Sequence, residues 1–269
     1  MSDSRLAFSA DVDHERRFGG IERLYGIGTL ARLKAARVGV IGIGGVGSWI
    51  VEALARSGVG TLQLIDLDNV SESNINRQAH ALDETLGQAK VTAMAARVRS
   101  INPHCHVEMV EDFLTPENVA ALLSETDLVV DAIDKARAKA ALAAHCRRHG
   151  LPLLMSGGAG GKTDPRRIRV GDLAHTVQDP LLARVRAQLR REYGFTRAPG
   201  RDFGIKAVYS DEALRRPAAC ADGGPQGLSC AGYGSSMAMT AGVGLFIAAL
   251  AIERLLRAQT GQTMKSGGT

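Results

Sequence analysis

Residues 37–68, RVGVIGIGGVGSWIVEALARSGVGTLQLIDLD, leave few architectures open. Val38 to Ile43 is an apolar run of β-branched residues and glycine, the pattern of a strand buried on both faces. Gly42, Gly44 and Gly47 then fit G-x-G-x-x-G, with Gly45 as an extra glycine. A turn this tight needs backbone that tolerates positive φ and can approach a ligand closely. Val46 to Arg56 carries apolar residues at helical spacing, Gly58 is placed to stop that helix, and Thr61 to Ile65 reads as a second strand closed by Asp66. The loop aims free N–H groups at an anion, normally phosphate, and an acid ending the second strand suits ribose hydroxyls. Strand, turn, helix and strand in this order predict a nucleotide-binding α/β fold. NAD and ATP both remain open on this motif alone.

The rest of the chain continues the alternation. Helices are expected over Gln88–Ser100, Arg137–His149 and Pro180–Tyr193, with a short one capped by Thr115 and opened by Pro116. Strands are expected at His106–Glu111, Asp127–Ile133, Leu151–Met155, Arg167–Val170 and Lys206–Tyr209. Ser156 to Lys162 is a second glycine-rich loop, either a hinge or a passage beside the substrate. This pattern predicts a doubly wound, Rossmann-like mixed sheet, mostly parallel. Residues 1–36 add an N-terminal helical extension, 37–175 form the nucleotide-binding part, and 176–269 form a C-terminal α/β extension of the same globular unit. Tyr233–Leu256 is a long apolar helix whose apolar core, Met237–Ile252, stays short of the ~20 residues a span requires. It reads as a buried helix or a dimer interface, with a peripheral membrane contact as the weaker reading.

A hydrophobic content of 45% and a charged content of 23% fit a soluble globular protein, and a net charge of +5 is compatible with a polyanionic partner. Cys105, Cys146, Cys220 and Cys230 form no C-x-x-C pair, and the N-terminus carries no secretory pattern, so reduced thiols in the cytoplasm are expected.

Four features in order bear on the nucleotide. They are the glycine loop with Asp66 and Asp68, the Asn74-x-Asn76-Arg77-Gln78 stretch, Lys90 in the first turn of its helix, and Asp134 after a strand. A cation at a helix start opposes the helix dipole, so Lys90 suggests an anionic ligand. A dinucleotide needs only backbone amides for its pyrophosphate. A triphosphate with a reacting α-phosphorus needs cationic side chains and a carboxylate for Mg²⁺. Arg77, Lys90 and Asp134 supply these at one sheet edge, which favours ATP.

Over roughly residues 14–175 these motifs resemble the MoeB/ThiF family, bacterial relatives of ubiquitin-activating enzymes. The resemblance implies ATP-dependent, ligase-type adenylation of a carboxylate with release of pyrophosphate. It implies that Asp66 binds ribose, Arg77 and Lys90 bind phosphates, Asp134 holds Mg²⁺ and Asn74 assists the phosphate network. Arg17 resembles an N-terminal arginine that crosses a homodimer to the γ-phosphate. The zinc-binding cysteine pairs of sulfur-carrier-activating members are missing. Arg17-Phe18-Gly19-Gly20, Gly44-Gly45-Val46-Gly47-Ser48-Trp49, Asn76-Arg77-Gln78, Ser156-Gly157-Gly158-Ala159-Gly160-Gly161 and Gln178-Asp179-Pro180-Leu181 are similar instead to a branch acting on tRNA. That branch implies ATP-driven dehydration, by ring closure, of threonylcarbamoyl-modified adenosine.

By the same resemblance, cysteine-desulfurase and sulfur-acceptor proteins (CsdA and CsdE) are candidate partners, and Cys230 is a candidate for covalent or sulfur-accepting chemistry. Nine arginines between Arg166 and Arg201 offer a tRNA surface, with Tyr193, Phe195 and Phe203 interleaved as candidates for base stacking. The alternatives are adenylation of a ubiquitin-like sulfur carrier, an NAD-binding oxidoreductase and a non-catalytic tRNA-binding or sulfur-relay protein.

Overall fold

The computed structural model describes residues 13–123, 125–215 and 233–258. Seven strands form one sheet: β1 Arg37–Ile41, β2 Thr61–Ile65, β3 His106–Val110, β4 Leu128–Asp131, β5 Leu153–Ser156, β6 Ile168–Asp172 and β7 Lys206–Ser210. Their spatial order is β3-β2-β1-β4-β5-β7-β6. Every neighbouring pair is parallel except β6 with β7. The chain winds one way from β1 to β3 and the other way from β4, so the crevice beyond the carboxyl ends of β1 and β4 is the switch point where such sheets bind ligands.

The helices are α1 His14–Tyr25, α2 Thr29–Ala35, α3 Gly47–Arg56, α4 Lys90–Ile101, α5 Val119–Leu122, α6 Ala136–His149, α7 Pro180–Glu192 and α8 Met237–Ala258. Strand residues alternate between the two faces. Val38, Val40, Leu62, Leu64 and Val130 pack with Ile50, Leu54, Met94 and Ile247 of α3, α4 and α8. Ile41, Ile65 and Val129 pack instead with Leu142 and Cys146 of α6. A third cluster joins Ala140, Ala143 and Ala144 of α6 to Leu182, Val185 and Leu189 of α7. The small alanine faces of α6 let these two helices approach closely.

Three boundaries differ from the sequence reading. β1 and β4 end at Ile41 and Asp131, because the chain must leave the sheet to make the ligand-side turns. The helix expected after Thr115 begins only at Val119. Thr115 Oγ1 accepts the N–H groups of Glu117 and Asn118 at 3.3 Å, capping a turn ahead of the helix. α8 runs 22 residues to Ala258, so its length and composition would suit a membrane crossing. Its packing on α3 and the sheet, through Met239, Val243, Ile247 and Ala251, makes it a core helix.

Candidate active site

The first glycine loop is fixed by steric need. Gly42 has φ 87°, and a Cβ there would lie 2.8 Å from the Ala132 carbonyl oxygen across the switch point. At Gly47 a Cβ would lie 1.8 Å from the Gly42 carbonyl oxygen. Gly47→Ala must displace the loop and is expected to cost about 1–3 kcal/mol, measured by thermal unfolding. The turn delivers the chain into α3, whose N-terminus carries no side-chain cap. The Ser48 N–H is already taken by the Gly44 carbonyl at 3.0 Å, which leaves the remaining N–H groups of the loop and first turn to face an anion.

Beyond this loop lies a cavity of 690 Å³. Gly42, Gly44, Gly45, Asp66, Asp68, Asn74, Arg77, Lys90 and Asp134 all line it, so elements separated by up to 92 positions meet at one sheet edge. Gly47 stands behind the wall as its steric support.

Asp66 is buried, and its two oxygens accept the N–H groups of Ile43 at 2.6 Å and Asp68 at 2.9 Å. It fastens the glycine loop to the end of β2. Burial raises its carboxyl pKa, opposed by the Lys90 charge and the two N–H bonds. Asp68 is 54% exposed on its side chain and pairs with Lys90 Nζ at 2.7 Å. Asn74 staples its own turn, its Oδ1 accepting the Ser71 N–H at 3.1 Å. Arg77 Nη1 donates to the Ser73 carbonyl at 2.5 Å and to Asn76 Oδ1 at 3.0 Å. The Arg77 carbonyl accepts from Trp49 Nε1 at 2.9 Å and Thr240 Oγ1 at 3.2 Å. This ties the arginine segment to α3 and α8.

Asp134 is exposed at the cavity, one turn beyond β4. The turn hangs from Asp131, whose Oδ1 accepts the Ile133 N–H at 3.0 Å and pairs with Lys139 Nζ at 2.8 Å. Both members of that pair are 0% exposed on their side chains. Burial raises the Asp131 carboxyl pKa, with Lys139 opposing.

Several lining residues were not anticipated from sequence. Lys135 and Arg137 follow Asp134 directly, and Lys135 Nζ sits 4.3 Å from the centre of the Phe113 ring. Their adjacency to Asp134 was a usable signal. Lys162, whose pKa burial lowers, is held by the carbonyls of Gln178 and Glu212. The second glycine loop forms a cavity wall and is pinned by Asp179, which accepts from Gly158 N–H at 2.8 Å and Leu182 N–H at 2.9 Å.

Arg17 is not at this cavity in its own chain. Its Nη1 donates to the Ile101 carbonyl at 2.8 Å, at the far end of α4 from Lys90. Twelve helical residues put those ends about 16 Å apart. Cys220 and Cys230 lie outside the described residues. Cys105 and Cys146 are buried, and burial pushes both thiols up to about 12, which leaves neither nucleophilic.

His80 lies buried near Lys90, and burial, reinforced by Lys90 and Arg97, lowers its pKa from 6.5 to about 4. A depressed histidine contributes stability that is present above its unfolded value and lost as pH falls through its folded value. Between pH 6.5 and about 4 that loss should approach 3 kcal/mol, roughly. Denaturant unfolding across this window should show a flatter pH profile in His80→Gln.

The aromatic candidates for base stacking are corrected by the structure. Phe195 and Phe203 are buried, with ring centroids 5.0 Å apart in an edge-to-face pair. Tyr193 packs against the same cluster.

Glycine loop, switch-point cavity and flanking cations together define an adenylating α/β protein, and the chain belongs to the ThiF family, whose model matches residues 19–266. It is 47% identical over 258 residues to the tRNA threonylcarbamoyladenosine dehydratase of Haemophilus influenzae, covering 94% of this chain and 98% of that one. The Escherichia coli dehydratase is 46% identical over 253 residues, covering 90% and 94%. The crystal structure of the Escherichia coli enzyme, TcdA, in complex with ATP superposes with a TM-score of 0.85 at 43% identity, covering 92% of this chain and 97% of that one.

Proposed function

We propose that this chain uses ATP to dehydrate threonylcarbamoyl-modified adenosine in tRNA. The observation that carries the reading is near-full-length similarity to two dehydratases, together with a cavity that gathers Arg77, Lys90 and Asp134. The α3 N-terminus and glycine loop would cradle phosphate, and Asp66, which also fastens the loop, would bind ribose. Arg77 and Lys90 would neutralise charge building on the phosphates. Lys90 would exchange its Asp68 partner for a phosphate oxygen.

The chemistry balances in two steps. A carboxylate oxygen of the modified side chain attacks the α-phosphorus, and pyrophosphate leaves. The carbamoyl group then attacks the acyl carbon, loses its proton, and expels AMP carrying that carboxylate oxygen. Attack from within the same side chain has a high effective molarity, so no enzymic nucleophile is required.

Among the described residues no three metal-binding side chains cluster. Asp134, an exposed carboxylate at the cavity with no cation paired to it among the described residues, suits Mg²⁺, which takes one or two protein carboxylates plus phosphate and water oxygens. Asp134 would hold it, and the ion would supply charge neutralisation at the phosphates.

In this reading residues 37–175 carry the adenylation chemistry and 176–269 the tRNA-facing and dimerisation side. Exposed Leu245 and Phe246 of α8 and Leu24 and Ile27 near α1 offer apolar surface for a homodimer. Arg17 would enter the partner's cavity. A sulfur-relay link to cysteine-desulfurase proteins is a separate proposal that rests on the resemblance and on Cys230.

The test is incubation with ATP, Mg²⁺ and tRNA that carries or lacks the threonylcarbamoyl group. Loss of one water from the modified nucleoside, with matching AMP, is expected only with the modified tRNA. An unchanged nucleoside would defeat the reading.

A further inference from the structure

A second cavity, of 570 Å³, lies at the other end of α7. Arg190, Arg191, Arg197, Arg201, His175 and Pro199 line it. Two of its arginines, Arg197 and Arg201, differ from the ion-paired ones read as a tRNA surface. Arg166 pairs with Asp164, and Arg167 and Arg169 pair with Asp211. Arg186 is half-buried against Thr176. Around the second cavity Glu192 pairs with Arg191 at 2.6 Å, and Asp202 with His175 at 2.7 Å. Arg197 and Arg201 are exposed and make no side-chain hydrogen bond or ion pair among the described residues.

The groove has a rigid floor. Arg190 lies over the Phe203 ring at 5.2 Å and donates through Nε to the Thr196 carbonyl at 3.3 Å. The buried Phe195–Phe203 pair thus supports guanidinium groups rather than bases. α7 connects the groove to the nucleotide cavity, since Pro180 and Leu181 border one and Arg190 and Arg191 the other. The nine helical steps from Leu181 to Arg190 span about 14 Å. Arg184, one turn into α7, shares a face with Arg191 seven positions on.

We infer that this groove holds the sugar–phosphate backbone of the tRNA whose modified adenosine occupies the first cavity, with α7 fixing the spacing. The RNA identity rests on the function proposed above. Guanidinium groups suit phosphate oxygens in a fork geometry, and their spacing selects a strand running away from the reacting base.

The test uses the full chain with Arg191→Gln, Arg197→Gln and Arg201→Gln combined, leaving the packed Arg190 in place. Dehydration rates against tRNA concentration, ATP affinity, and filter binding of tRNA over a salt series are compared with the unaltered chain. Expected are a KM for tRNA at least about tenfold higher and a log–log salt slope shallower by about two to three, with kcat and ATP affinity unchanged. Unchanged tRNA binding and slope would overturn the groove, as would a loss confined to kcat or ATP affinity. Filter binding reads the groove even if no tRNA is dehydrated, so failure of the activity and failure of the groove are distinguishable.

Discussion

Lys139→Met is expected to destabilise the protein by about 3–5 kcal/mol, because it leaves the Asp131 carboxylate buried without its cation. Both side chains are fully buried. One oxygen of Asp131, Oδ2, already lacks a hydrogen-bond partner. At roughly 2–4 °C per kcal/mol for a chain of this size, the melting temperature should fall by about 10 °C. The pH dependence has a definite sign. A carboxyl whose folded pKa is raised destabilises the fold as it ionises, so the variant should lose stability as pH rises above the ordinary value of 3.8. Adding Asp131→Asn should recover most of the loss, since an amide oxygen still accepts the Ile133 N–H. The same variant should weaken catalysis, because Asp131 holds the turn that presents Asp134. Equal stability of Lys139→Met and the unaltered chain would show that the pair does not govern this turn.

Arg77→Ala and Lys90→Ala should each lower kcat for AMP formation by about a hundredfold to a thousandfold while leaving the fold intact. The magnitude is that of losing one preorganised group opposite developing charge. Structural cost should be small in both. Lys90→Ala leaves behind Asp68, which is 54% exposed and can be hydrated, and Asp66, whose oxygens keep the N–H groups of Ile43 and Asp68. The carbonyl of Arg77, which anchors its segment to Trp49 and Thr240, survives truncation of the side chain. Melting temperatures within about 3 °C of the unaltered chain are therefore expected, corresponding to about 1 kcal/mol. Activity retained after both substitutions would remove the phosphate-side cations from the mechanism.

The part of the molecule legible in its sequence is the part governed by local rules. β1, the glycine loop, α3 and β2 follow from β-branched runs and from Gly42 and Gly47, where a Cβ would meet backbone, and β2 falls at Thr61–Ile65 as expected. Arg77, Lys90 and Asp134 were legible because ligands of such sheets bind at the carboxyl ends of strands. What escaped required contacts between distant positions. Asp66 lines the cavity where a ribose ligand was expected, but its second task, fastening the glycine loop through two backbone N–H groups, one of them 23 residues earlier, was not legible. Lys139 sits in an alanine-rich helix where a lysine would ordinarily reach solvent, and only the sheet-side packing of α6 shows it buried. Phe195 and Phe203 alternate with arginines like a stacking platform, but the return of the chain into β7 folds both inward. The insertion of β7 between β5 and β6 has no local sequence signal, since pairing across α7 is a tertiary outcome.

The most direct measurement follows one oxygen atom. The modified tRNA is prepared with heavy-isotope oxygen in the threonylcarbamoyl carboxylate, and the AMP released during dehydration is weighed. Activation by adenylation requires one heavy oxygen in each AMP formed. AMP carrying only ordinary oxygen, in step with dehydration, would contradict the account.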